Sequence, residues 1–359
     1  MRIAVLPGDG IGPEVIAQAV RLVQHVRPDV ECVEAPVGAA AIRQGLPPLP
    51  EDTDVLCRRS EAILFGSVGD PRFDMLPFER RPEAALFALR RNYNLFANLR
   101  PVRVYPSLEE ASSLRHERIE GVDLVVVREL TGGIYFGTPK NQGADMDGTR
   151  WAVDTMSYRE PEIERIARVA FELATRRAKR VASVDKHNIL ATSRLWRDVV
   201  NQVARDYPGV ELTHLLVDNA AMQLVRRPRN FDVILTENLF GDILSDEAAT
   251  LGGSIGNLPS ASLTDASSGR SFGMYEPIGG TAPDIAGKGI ANPTAAILSA
   301  ALLLRYSLND ETSARRIEEA VERVFTAGVR TRDLAAPHEA WVTCQEFGDA
   351  VLRSVKVAA

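Results

Sequence analysis

Arg90, Arg100 and Arg128 stand in Ala88-Leu89-Arg90-Arg91, Asn98-Leu99-Arg100-Pro101 and Val127-Arg128-Glu129, at or near the edges of expected strands. A guanidinium there offers a planar fork suited to bidentate capture of a carboxylate, and a di- or tricarboxylic substrate would need several such forks. Solvated surface arginines are the plainer alternative. Asp242 and Asp246 are four apart in Phe240-Gly241-Asp242-Ile243-Leu244-Ser245-Asp246, so on a helix they share one face with Cβ atoms ~5–6 Å apart. Two carboxylates that close favour a cation between them, and oxygen-only donors suit Mg2+ or Mn2+ better than zinc. An ordinary solvated acidic face has the same spacing.

Lys186 follows the apolar run 181–184, in Asp185-Lys186-His187-Asn188, and is a candidate proton-transfer group. A lysine amine ordinarily titrates near ~10.4, so a base at pH 7 needs a depression of about three units, ~4 kcal/mol, which a metal and nearby arginines could supply. A salt bridge to Asp185 is the alternative. The stretch 275–293, Tyr275-Glu276-Pro277-Ile278-Gly279-Gly280-Thr281-Ala282-Pro283-Asp284 and on to Asn292-Pro293, is rich in glycine. Such a loop allows close backbone approach to a phosphate-bearing ligand, with Asp284 placed to accept from ribose hydroxyls. The opening Pro7-Gly8-Asp9-Gly10-Ile11-Gly12-Pro13 is not the dinucleotide fingerprint, because its third glycine is not three residues after the second. By itself it reads equally as a tight strand-to-helix turn.

These groups must be carried by alternating elements. Residues 2–6, 62–65, 122–127, 181–184, 210–217 and 233–235 read as strands, several continuously apolar and so buried on both faces. Helical spacing marks 13–26, 161–178, 195–205, 314–325 and 337–355, with a further helix starting at Asn292-Pro293. The alternation predicts an α/β fold. Residues 137–154 and 258–270 read as long loops, of a length that is often functional.

Composition narrows the partners. The 359 residues exceed twice a typical ~150-residue domain, so about two domains are expected. With 42 Lys+Arg against 48 Asp+Glu, net −6, the chain lacks a polyanion binder's charge, and no nucleic-acid partner is expected. The apolar stretch 295–304 is about half the ~20 residues a membrane span needs, so no membrane partner is expected either. The first strand is too short for a signal peptide, and Cys32, Cys57 and Cys344 are scattered without metal-site spacing. Both point to the reducing cytoplasm.

Nearly end to end, the chain resembles the isocitrate/isopropylmalate (β-decarboxylating) dehydrogenase family. The resemblance rests on Leu6-Pro7-Gly8-Asp9-Gly10-Ile11-Gly12-Pro13-Glu14-Val15, Leu95-Phe96-Ala97-Asn98-Leu99-Arg100-Pro101, Val127-Arg128-Glu129-Leu130-Thr131-Gly132-Gly133-Ile134-Tyr135-Phe136-Gly137, and the segments around Asp242 and Asp284. It implies that family's fold, which is not the Rossmann type: two α/β domains around a shared sheet. The first, NAD-binding domain would be discontinuous, 1–97 and 253–359, and 98–252 would form the dimerising domain. The partners implied are a small 3-substituted malate and a second copy of the chain, each active site of the homodimer being shared.

By motif match, Arg90, Arg100 and Arg128 would hold the malate carboxylates. Asp242 and Asp246, with Asp218 of the other subunit, would hold Mg2+ or Mn2+. Lys186 of the other subunit, relayed with Asp218, would take the proton from the 2-hydroxyl during hydride transfer to NAD, and Tyr135 would protonate the enol after CO2 leaves. Ile11, Gly280, Thr281, Ala282, Pro283, Asp284, Ile285 and Asn292 would line the cofactor site, Asp284 favouring NAD over NADP by repelling a 2′-phosphate. Glu83, Leu86, Phe87, Asn188 and Ile189 would line the substrate site, where Leu86 and Phe87 imply an apolar C3 substituent. Isopropyl, in leucine biosynthesis, is the first expectation; a larger alkyl, thioether or aryl group, or D-malate or tartrate, is the alternative.

The chain departs from the family at four positions. Gly279 replaces the His whose ring packs on adenine, Phe87 replaces a Leu, and His187 and Ile189 replace Ala and Val. A non-catalytic regulatory chain of the same fold is a reading of another class. Retention of Tyr135, Lys186, Asp218, Asp242, Asp246 and the three arginines argues against it.

Overall fold

The computed structural model describes residues 1–264 and 271–356. The chain opens with β1 (Arg2–Gly8), α1 (Gly12–Val26), β2 (Glu31–Glu34), α2 (Ala39–Ile42), α3 (Glu51–Arg58), β3 (Ala62–Ser67) and α4 (Glu83–Asn92). It continues through β4 (Ala97–Arg103), α5 (His116–Ile119), β5 (Asp123–Glu129), the hairpin β6 (Asn141–Ala144) and β7 (Arg150–Val153), then α6 (Glu160–Thr175), β8 (Arg180–Asp185) and α7 (Ala191–Ala204). β9 (Glu211–Leu216), α8 (Val217–Arg226), β10 (Val233–Thr236) and α9 (Asn238–Ala249) follow. The described chain closes with β11 (Pro259–Leu263), β12 (Gly273–Pro277), α10 (Thr294–Tyr306), α11 (Glu311–Thr326) and α12 (Cys344–Ser354).

Ten strands form one mixed sheet, ordered β2-β1-β3-β12-β11-β4-β5-β10-β8-β9. One outer block, β2-β1-β3-β12, is internally parallel, as is the other, β5-β10-β8-β9. The two blocks meet through antiparallel pairings of β11 with β12 and β4, and of β4 with β5. The α/β class is therefore as expected, with the reversal of strand direction falling at the sheet's centre. β1, β3 and β10 are apolar and buried, as continuous apolar strands covered on both faces should be. α10 is apolar all round and packs on β11, β12, α1 and α11, which explains how so greasy a segment sits in a core. No helix among the described residues is long and apolar enough to cross a membrane.

Several expectations need correction. The strand expected over 210–217 is shorter: β9, at the edge of the sheet and half-exposed, covers Glu211–Leu216, and Val217 already starts α8. Residues 137–154 are not an irregular loop, because β6 and β7 pair as an antiparallel, largely exposed hairpin. Of the expected loop 258–270, residues 259–263 form the buried strand β11, and 265–270 lie outside the described residues. The helix expected from 337 starts only at Cys344, where Thr343 and Glu346 form a capping box. The helix expected to reach 178 ends at Thr175.

Candidate active site

A polar stripe crosses the sheet's centre on one face. Asn98 of β4 lies opposite Arg128 of β5 and Ser262 of β11, and Arg100, two residues on, shares Asn98's face. Glu276 of β12 lies opposite Ser260, two residues from Ser262. The buried Asn98 amide donates to Ser260 Oγ at 2.8 Å and Ser262 Oγ at 3.0 Å. These partners answer the cost of burying polar groups and fix Arg100, whose Nε donates to Asn98 Oδ1 at 2.9 Å.

The three arginines are all nearly buried, but not all at strand ends. Arg90 lies in α4, donating to Glu276 Oε1 at 3.0 Å, while its Nε, buried, has no hydrogen-bond partner among the described residues. Arg100 is mid-strand, its Nη1 donating to Ser245 Oγ at 2.6 Å and Asp246 Oδ1 at 3.3 Å. Arg128 lies near the end of β5; its Nη1 donates to Asp242, and Asn238 Oδ1 accepts from its Nε and Nη2 at 3.0 and 2.7 Å. Burial and the adjacent Arg100 push Arg128 down to about 10, leaving it charged at neutral pH. Burial likewise lowers Arg100, against the pull of Asp242. A buried, cationic group with an orphaned donor suits an anionic ligand.

α9 brings the acidic pair to this stripe. Glu237 caps it, accepting from Phe240 N at 2.8 Å and Leu239 N at 3.0 Å. Gly241 allows the helix to sit against Arg128: a Cβ there would lie 2.6 Å from Arg128 Cγ. Burial raises the Asp242 carboxyl, but Arg128 and Arg100 outweigh it, and the net shift is downward. Burial raises Asp246 despite Arg100. Tyr135, in the turn Gly133–Tyr135, donates to Asp242 Oδ2 at 2.9 Å, and burial followed by that bond raises its phenol.

Lys186 and Asp218 form a separate pair. Lys186 follows β8 and donates through Nζ to Asp218 Oδ1 at 2.5 Å, in the first turn of α8; Asp185 instead pairs with Arg197. The bond to Lys186 holds Asp218 below the usual carboxylate range. Among the described residues, no hydrogen bond or ion pair joins this pair to Asp242 or Asp246, and no three His, Cys, Asp or Glu side chains converge on a metal position. The carboxylate donors of α9 fit a hard divalent cation in kind, and within one chain they form an incomplete set. α8 packs on α9, and Met222, Val225 and Ile243 of these helices are exposed apolar side chains.

The two glycine-containing loops meet. Ile11 N donates to Thr281 O at 2.9 Å, and a Cβ at Gly10, whose φ is +59°, would fall 2.0 Å from Thr281 O. Buried Asp9 accepts from Ala39 N and Ala40 N at 2.8 Å each and Gly69 N at 3.1 Å, tying three loops together, and burial raises it. The Gly10→Ala variant is expected to lose about 3 kcal/mol of stability; an unchanged Tm would contradict the packing. A Cβ at Gly279 or Gly280 meets nothing within 4 Å, and Asp284 is exposed. Asn292 is committed internally: its Nδ2 donates to Asn257 Oδ1 at 2.9 Å and Asp333 Oδ2 at 3.0 Å, and its Oδ1 accepts from Thr294 N at the start of α10. Ala282 and Ile285 share a turn through Ile285 N to Ala282 O.

α4 carries Glu83, Leu86 and Phe87 along with Arg90. Glu83 Oε2 is buried without a partner among the described residues, and Oε1 lies 3.1 Å from a Cβ position at Gly69. Phe87 meets Phe78 edge-on, centroids 5.4 Å apart, and Phe136, next to Tyr135, at 5.6 Å. Asn188 and Ile189 occupy the turn after β8, Ile189 being 66% exposed. Sequence reasoning missed Asn98, Asn238, Glu276 and Ser245; polar residues at i and i+2 in 98–100 and 260–262 were the available signal.

The pattern of the isocitrate/isopropylmalate dehydrogenase family matches residues 2–351. A 3-isopropylmalate dehydrogenase of Bordetella avium (strain 197N) is 57% identical over 358 residues, 99% of each chain. One of Ralstonia nicotianae (strain ATCC BAA-1114 / GMI1000) is 54% identical with the same coverage. Among solved structures, the isocitrate dehydrogenase from Methylococcus capsulatus matches with a TM-score of 0.86 at 34% identity, covering 99% of each chain. The apo form of a beta-decarboxylating dehydrogenase from Thermococcus kodakarensis matches at 0.79 and 36%, covering 99% of this chain and 96% of that one.

Proposed function

This chain belongs to the isocitrate/isopropylmalate dehydrogenase family and is an oxidoreductase acting on a CH–OH group, and from that premise we propose NAD-dependent oxidative decarboxylation of a 3-substituted malate. The substrate read here is (2R,3S)-3-isopropylmalate, giving 4-methyl-2-oxopentanoate and CO2. The observation that carries the reading is the buried arginine group facing the α9 carboxylates, with Arg90 Nε still lacking an acceptor among the described residues. The higher identity to 3-isopropylmalate dehydrogenases than to the isocitrate enzyme supports an apolar C3 group, as do Leu86 and Phe87 on the helix of Arg90.

We read 1–97 with 253–359 as the nucleotide-binding domain and 98–252 as the dimerising domain. The working unit is a homodimer in which Lys186 and Asp218 serve the partner's site. Their separation from Asp242 within one chain and the exposed apolar side chains of α8 and α9 support this. Asp242 and Asp246, with Asp218 of the other copy, would hold Mg2+ or Mn2+. When bound, the cation supplies Lewis acidity at the C2 oxygen and NAD supplies the hydride acceptor.

The chain's own groups do the rest. Arg90, Arg100 and Arg128 orient the dicarboxylate. Lys186, relayed through Asp218, takes the 2-hydroxyl proton. After CO2 departs, Tyr135 delivers a proton to C3; its raised phenol keeps that proton available throughout neutral pH.

The test is NAD reduction with Mg2+ or Mn2+ across 3-substituted malates. Turnover with isopropylmalate that chelation abolishes is expected; no turnover with any member would reject the reading. The Phe78–Phe87–Phe136 contacts favour a second reading, in which a larger alkyl, thioether or aryl substituent is preferred. A kcat/KM maximum at isopropyl would remove it.

The cofactor loop gives a separate prediction. Gly279 has room for a side chain and no left-handed backbone angle, so Gly279→His is expected to tighten NAD binding about two- to tenfold through ring stacking. Calorimetry reads this without turnover, and an unchanged Kd would show that adenine lies elsewhere.

A further inference from the structure

Asn238 is fully buried at the start of α9, and every hydrogen-bonding position of its side chain is used. Oδ1 takes both Nε and Nη2 of Arg128. Nδ2 donates to the carbonyls of Leu130 at 3.1 Å and Gly132 at 3.0 Å. Those carbonyls belong to the turn that runs into Gly133–Tyr135, and Tyr135 reaches Asp242 four residues along Asn238's own helix. From the other side, Glu129 accepts from Thr131 N at 3.1 Å and Gly132 N at 2.7 Å.

Capping does not require this amide, because Asn238 N donates to the Tyr158 hydroxyl at 3.0 Å and Glu237 accepts from the next two amides of α9. An apolar isostere would strand two buried carbonyls and two guanidinium donors. Aspartate would keep the acceptor for Arg128 but set a carboxylate against both carbonyls.

We propose that Asn238 is a positioning residue that locks Arg128 and the Leu130–Gly132 turn into one frame and so sets the Tyr135 hydroxyl for proton delivery. This rests on the reaction read above. The test is a double-mutant cycle between Asn238→Ala and Tyr135→Phe. Alone, Asn238→Ala is expected to lower kcat about 10- to 100-fold, since small misplacements of a reacting group cost that much. In the Tyr135→Phe background the same change is expected to cost less than about threefold, the coupling expected of residues acting as one unit. Equal losses in both backgrounds would overturn the proposal.

Asn238→Asp, closer in shape, serves if the alanine variant does not fold. Its kcat is expected to fall about 10-fold or more because the two carbonyls remain unserved, and wild-type kcat would overturn the proposal. Calorimetric binding of malate separates this inference from the reaction itself. If the unmodified protein binds malate but oxidises no 3-substituted malate, the reaction fails. Asn238 is then judged by Kd, which Asn238→Ala should raise about fivefold or more through its loosened hold on Arg128; an unchanged Kd would overturn it.

Discussion

Replacing Lys186 by methionine is expected to lower kcat by a factor of about 10^2 to 10^4, the range that a positioned acid–base group contributes. Cation-dependent binding of the malate should stay within about threefold, because in the proposed site Arg90, Arg100 and Arg128, and not the amine, hold the carboxylates. Kinetics with isopropylmalate and calorimetry with the same ligand separate the two quantities. Loss of both together would give Lys186 a binding role instead. The fold should tolerate the change: Asp218 is exposed and Lys186 partly so, and pairs reached by solvent contribute little to stability.

Asp242→Asn is expected to be as damaging to turnover without weakening metal-free binding. The carboxylate of Asp242 is shared among Arg128, Arg100 and Tyr135. In the proposed site, without a cation, it would compete with the substrate's carboxylates for both guanidinium groups. Removing its charge therefore leaves metal-free malate binding unchanged or a few-fold tighter, while cation affinity falls and kcat drops by about 10^3. Calorimetry with and without Mg2+ reads both effects. Weaker metal-free binding would mean that Asp242 orders the arginines rather than competing with the ligand.

The apolar strands of the two parallel blocks were legible in the sequence and the polar strands where the blocks meet were not, for one physical reason. β1, β3, β8 and β10 are short apolar runs that read directly as buried strands. β4, β11 and β12 carry Asn98 and Arg100, Ser260 and Ser262, and Glu276 into the interior. Those side chains break the apolar pattern because they point polar groups into the candidate site, so a strand that carries them reads as an irregular one. β6 and β7 expose nearly every residue and give no burial alternation to detect.

The site residues were legible chiefly through motif resemblance, and their roles divide accordingly. Arg100, Arg128, Tyr135, Asp242 and Asp246 form one connected cluster. Lys186 and Asp218 form another, and spacing along the chain could not tell whether the two meet within one copy. Asn238 was hidden because its function depends on what its amide touches across the fold, which a single buried asparagine at a helix start does not announce.

That division makes sharing between subunits the account's central claim. It is tested most directly by co-expressing or reassembling the Lys186→Met and Asp242→Asn chains, each inactive as a homodimer. In a shared arrangement every mixed dimer regains one site with Asp242 from one protomer and Lys186 from the other, so a random mixture should recover about a quarter of the unmodified protein's specific activity. Recovery near that fraction supports sites built across the interface. Formation of the mixed dimer with no recovered activity would place Lys186 and Asp242 in the same chain's site and contradict the account.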